Sequence, residues 1–128
     1  MRAIAAALAA TLLPVSAVAC DPPLAGAGVQ RIEGAHQVVA WRSPQPVPLA
    51  QFFTLEFAAC ARNGGEVKAP RVDATMPQHG HGMNYRPTVE SLGGGRFRAS
   101  GLLLHMPGRW QLSFVVGGET LHAALAVD

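Results

Sequence analysis

Charge of either sign is scarce in this chain. Charged residues make up 14% of the 128, and they nearly cancel, at ten basic against eight acidic. So weak a balance offers no field for nucleic acid and no basic patch for a membrane surface. Helical periodicity is missing too: after residue 19 no segment repeats its apolar positions every three to four residues. Cysteine is limited to Cys20 and Cys60, which allow a single pairing and stand too far apart in sequence to suggest a shared metal site. Catalytic signatures are absent as well. There is no serine or cysteine nucleophile motif and no paired carboxylate, and the glycines at 93–95 lack the following helix that a phosphate loop needs. These absences exclude a helical fold and give no support to an enzyme.

What is present begins with an export signal. Arg2 precedes the apolar run AIAAALAATLLPVSAVA, and Ala17-Val18-Ala19 is a small-x-small cleavage signal directly before Cys20. Residues 1–19 therefore read as a signal peptide rather than a membrane span, which places the mature chain in the periplasm or outside the cell. Without Arg2, nine basic residues face eight acidic ones, a net charge of about +1. The 109 residues that follow suffice for one compact core. Cys20 has two readings: a disulfide with Cys60 in an oxidising compartment, or a lipoprotein anchor. The usual lipobox leucine three positions before the cysteine is replaced by Ala17.

Residues 20–35, rich in proline and glycine, read as a flexible N-terminal leader, and 36–128 as one domain. Within that domain apolar residues alternate with a period of two between turn signals. Strands are expected over 36–42, 51–60, 66–75, 85–92, 96–104, 109–116 and 119–127. The inward faces carry Phe53, Leu55, Phe57 and Ala59, then Val72 and Ala74, then Phe97, Ala99 and Leu103. They continue with Trp110, Leu112, Phe114 and Val116, and with Leu121, Ala123, Leu125 and Val127. The three prolines in 43–50 bar that stretch from a central strand. About seven short strands without helices indicate an all-β fold, an immunoglobulin-like antiparallel β-sandwich, with Trp110 as a core anchor.

Methionine and histidine are unevenly placed. Apart from Met1, the methionines are Met76, Met83 and Met106, and three of the five histidines, His79, His81 and His105, lie beside them. If consecutive strands are antiparallel, connections alternate between the two ends of the sandwich. RNGG, GGG and GG then close one end, while SPQPVPLA, MPQHGHGMN and HMPG fall at the other. Met76, His79, His81, Met83, His105 and Met106 are thereby predicted to share one end, with His79 or His81 within ligand distance of His105 or Met106. Thioether and imidazole donors suit copper, Cu(I) more than Cu(II). Methionine is a poor zinc ligand, and calcium would need more oxygen than Asp73 supplies. Not all six side chains would bind at once. The plainer alternative is that Met76 and Met106 fill the open end of the core. His36 and His122, on strands without Met or Cys neighbours, read as incidental, and Arg86, Arg96, Arg98 and Arg109 as solvated.

The stretch VDATMPQHGHGMNYRPTVESLGGGRFRASGLLLHMPGRWQLSFVV, 72–116, resembles the YtkA-like family, small secreted β-sandwich domains related to the FixH-like proteins. The resemblance implies a β-sandwich and copper handling. FixH-like proteins usually carry a membrane helix, and this chain departs from them in ending its only apolar run at a cleavage-like site. The Met/His set is also similar to the Cu(I) sites of periplasmic chaperones that supply cytochrome oxidase. Together these point to a periplasmic copper-binding chaperone or sequestering module, with a copper-accepting or copper-exporting envelope protein as partner. The alternative is a non-metal immunoglobulin-like accessory domain of an envelope complex.

Overall fold

A computed structural model describes residues 1–14 and 20–128. The expected cleavage signal Ala17-Val18-Ala19 lies outside the described residues. Residues 1–14 are exposed and form no regular secondary structure. No helix among the described residues is long and apolar enough to cross a membrane.

The described residues form nine strands: β1 (Gln30–Glu33), β2 (Gln37–Arg42), β3 (Phe53–Ala61), β4 (Arg71–Met76), β5 (His81–Gly82), β6 (Thr88–Gly93), β7 (Arg96–Leu102), β8 (Gly108–Val116) and β9 (Glu119–Val127). They pair antiparallel into two sheets, ordered β1-β2-β3-β7-β6 and β5-β4-β8-β9. Stripped of the short β1 and β5, the order is that of a constant-type immunoglobulin sandwich, four strands against three. All seven expected strands are present. The two additional ones were hidden for different reasons: β1 is four residues with one apolar side chain, Ile32, and β5 is two residues inside the Met/His motif.

The core forms where the inner faces meet. On β8, Trp110, Leu112, Phe114 and Val116 are buried while the residues between them are not. Phe114 packs against Trp41 at a centroid distance of 6.0 Å and Phe57 at 5.4 Å, and Phe57 stacks on Phe97 at 5.2 Å. Burying side chains of this size contributes about 1.5–3 kcal/mol each before entropy is counted.

One inward assignment needs correction. Leu103 is not the buried residue of its strand; Leu102 and Leu104 are, both fully buried. Leu55 pairs with Ala99 but Phe53 pairs with Leu102, so β7 carries one extra residue between them. Gly101, at φ +81°, takes the left-handed conformation in that bulge and flips the alternation beyond it. Two boundaries also shift. The strand expected over 66–75 starts only at Arg71, beyond Ala69 at φ +43° and Pro70, and β6 starts after Pro87.

The stretch 20–35 is anchored rather than free. Cys20 and Cys60 form a disulfide with Cα atoms 5.8 Å apart. Arg31 donates to Asp21 at 2.8 Å and to the Cys20 carbonyl at 3.2 Å, and β1 pairs along its length with β2. On the outer face of the five-stranded sheet, Arg42, Glu56, Arg98 and Glu90 occupy paired positions on four adjacent strands, so charge alternates across the sheet. The tightest contact in this row is Arg42 to Glu56, 2.7 Å.

Candidate metal centre

The first cluster sits on a hairpin. β4 runs inward-outward through Val72, Ala74 and Met76, all buried. The chain then reverses through Pro77–Gly80. His79 N–H donates to the Met76 carbonyl at 3.0 Å, Pro77 holds the second turn position, and Gly80 supplies φ +63°. β5 returns with His81 opposite Met76 and Gly82 opposite Thr75. The imidazoles of His79 and His81 are thereby carried out on the turn, exposed, with ring centroids 6.4 Å apart.

The second cluster is fixed from both sides. In the connection from β7 to β8, the buried Leu104 accepts a hydrogen bond at its carbonyl from Ala50 N–H, 2.8 Å. The Met106 carbonyl accepts from the Trp110 indole Nε1–H, 3.0 Å. His105 lies between these two ties and stands edge-on to the Trp110 ring, with centroids 5.5 Å apart. Its Nδ1 is buried and has no hydrogen-bond partner among the described residues. An unpartnered buried nitrogen costs about 1–3 kcal/mol. Two other buried polar atoms share that condition, Trp41 Nε1 and Gln37 Oε1. Indole nitrogen is a donor only, and Gln37 Oε1 is an amide oxygen at the start of β2, not an imidazole nitrogen.

The two clusters meet. The rings of His81 and His105 have centroids 6.2 Å apart at an interplanar angle of 83°. Two imidazoles sharing one ion, with metal–nitrogen bonds of about 2.0 Å and about 1 Å more to each ring centre, lie about 5–6 Å apart. The observed 6.2 Å lies just beyond that range. The alternation of tight and long connections therefore places both segments at the same end of the sandwich.

The methionines divide. Met76 is 2% exposed and belongs to the core; its methyl group comes within 3.0 Å of the point a Cβ on Gly108 would occupy, so glycine there makes room for it. Met76 is a packing residue rather than an accessible donor. Met83 and Met106 are half-buried and pack on the margin of the core. No group of three or more His, Cys, Asp or Glu side chains among the described residues is placed to hold a metal ion. A site at this end would have two imidazoles and would need thioether sulfur to complete it, a soft donor set.

Three features went unread in the sequence. Trp110 is a core residue and also the clamp on Met106, a role that the H-M-P-G-R-W spacing of donor and acceptor could have suggested. Ala50 ties the proline-rich connection to the same end. Phe52 and Tyr85, 59% and 50% exposed, form an edge-to-face pair at 5.0 Å.

Of the other histidines, His36 precedes β2, and His122 lies on the outer face of β9 with Nδ1 3.1 Å from Ser113 Oγ. Asp73 pairs in register with Ser113, on the side of the serine away from His122. Histidine is not the middle member, so the order of a Ser-His-Asp relay is not formed. Comparison of the chain with family models, with curated proteins and with solved structures found no match.

Proposed function

We propose that this chain is a periplasmic copper-binding protein, a chaperone or sequestering module, that takes Cu(I) in preference to Cu(II). The observation that supports this most is the His81–His105 pair, 6.2 Å apart, with His105 held in place and its buried Nδ1 unpartnered. Met106 follows His105 directly and Met83 follows His81 by two residues, so thioethers are at hand on both segments. Cu(I) is satisfied by three or four such ligands, and exposed His79 on the turn is the group best placed to exchange with an acceptor. Transfer needs no redox step by the protein. The export signal expected at 1–19 agrees with this reading. The partner would be a copper-accepting or copper-exporting envelope protein, and the Cys20 sulfur, paired with Cys60, is not free to carry a lipid.

Bicinchoninate competition on the mature chain tests the proposal. Replacing both His81 and His105 by alanine should weaken Cu(I) binding at least about tenfold, while His36→Ala and His122→Ala leave it unchanged. Micromolar or weaker affinity, unaltered in the double variant, would refute it.

The exposed Phe52–Tyr85 pair favours a second reading, an immunoglobulin-like accessory domain that docks through aromatic side chains. In that case Phe52→Ala with Tyr85→Ala abolishes complex formation and the histidine changes do nothing.

A further inference from the structure

The outer face of the β5-β4-β8-β9 sheet holds a cleft of about 470 Å³ that the metal reading does not use, within the size range of small-ligand pockets. Its origin can be read residue by residue. Trp110, Leu112 and Phe114 face the core, so Arg109, Gln111 and Ser113 face outward along β8. Opposite them on β9 stand Ala126, Ala124 and His122. Alanines beside long polar side chains leave a trough. β4 ends before it reaches Arg109, and the turn residues Pro77 and Gln78 close that side instead.

The lining is one-sided in its chemistry. Arg109 has no carboxylate within ion-pairing distance among the described residues, and no acidic side chain lines the cleft. Ser113 Oγ lies 3.1 Å from His122 Nδ1, and with the hydroxyl as donor the neutral ring carries its proton on Nε2. The amides of Gln78 and Gln111 add further donors. Pro77 and the outward-facing Ala124 supply apolar surface. Two residues that read as incidental in the sequence, Arg109 and His122, both line this cleft, at opposite ends: Arg109 stands opposite Ala126 and His122 opposite Ser113, four residues further along β8 and about 13 Å away.

We propose that this cleft binds a small carboxylate with a compact apolar body: the carboxylate on Arg109 with Gln111 alongside, and the body over Ala124 towards the His122 ring at the far end. A planar carboxylate matches the forked donors of a guanidinium, and burying that contact against alanine raises its worth over a solvated one. The proposal does not depend on copper, and its test is made on metal-free protein.

Benzoate is the probe, followed by backbone amide shifts of the 15N-labelled chain, with benzyl alcohol as the same body without charge and inorganic sulfate as charge without body. Benzoate is expected to give saturable shifts at Gln78, Arg109, Gln111, His122 and Ala124. Benzyl alcohol and sulfate should each bind at least about tenfold more weakly. Arg109→Gln should lose at least about tenfold, and Ala124→Leu, which fills the trough on an exposed strand position and keeps the fold, should lose as much. No saturable shift with benzoate up to about 10 mM would overturn the proposal. So would equal binding of benzyl alcohol or sulfate, or unchanged binding in both variants.

Discussion

Trp110 and His105 are joined in two ways: the rings meet edge to face at 5.5 Å, and the indole N–H donates to the carbonyl of Met106, the residue next to His105. A buried core residue therefore sets the position of a candidate ligand. Trp110→Phe keeps an aromatic ring in the core but removes the hydrogen bond and leaves the Met106 carbonyl without it. The expected cost is about 1–3 kcal/mol in stability. Cu(I) affinity should fall about tenfold in a chain whose circular dichroism is unchanged at room temperature. Competition for Cu(I) measured beside urea unfolding separates the two effects. Lower stability with full affinity would show that Trp110 packs the core without positioning His105.

The Cys20–Cys60 bond closes a separation of 40 residues. On the chain-entropy account a loop of that length stabilises by about 4 kcal/mol. Cys20→Ser and Cys60→Ser should each lower stability by about 2–4 kcal/mol, and the double variant should lose no more than either single one. Intact mass of the exported protein should show two hydrogens fewer than the reduced chain and no added lipid. A diacylglycerol mass at Cys20 would contradict the pairing.

Glu56 titrates in a basic setting. Its hydrogen bond from Arg42 holds its carboxyl below the ordinary value of 4.5; burial opposes this, and the charges of Arg42, Arg96 and Arg98 reinforce it. A lowered folded-state value means stability fully present above the unfolded value and lost as pH falls through the folded one. The side chain is 30% exposed, so solvent screening limits the contribution to about 0.5–1 kcal/mol. Glu56→Gln should lower the urea midpoint at pH 7, and the gap from the parent chain should close as pH falls below 4.5. A gap that stays constant with pH would show that the ion pair contributes nothing.

Gly101 tests the bulge. With φ at +81° and open space where a Cβ would project, the position restricts backbone conformation and not volume. Gly101→Val should cost about 1–3 kcal/mol in thermal or urea unfolding, more than Gly101→Ala. Equal stability of all three would mean that the extra residue of β7 does not need the left-handed conformation.

Much of this molecule was legible because its physics is periodic. Strands β8 and β9 keep their buried residues on alternate positions, as β3 does from Phe53 to Phe57, and the parity of tight and long turns was enough to bring His81 and His105 to one end. Period two also fails where the backbone breaks it, as at Gly101, where a single left-handed glycine moved burial from Leu103 to Leu102 and Leu104. Met76 is the instructive case. It continues the inward series Val72, Ala74, so strand parity alone places it in the core; its place in the MPQHGHGM motif pointed the other way. β1 could not be read from QRIE, whose pairing depends on β2, and the cleft beside Arg109 arises from alanines on a neighbouring strand that no local pattern connects to it.

The most direct measurement is copper K-edge X-ray absorption of the mature chain loaded with one equivalent of Cu(I). A shell of about two imidazole nitrogens and at least one sulfur, with one imidazole lost in each of His81→Ala and His105→Ala, is the predicted result. A shell without sulfur, or one that neither substitution changes, would contradict a Met/His copper site at this end of the sandwich.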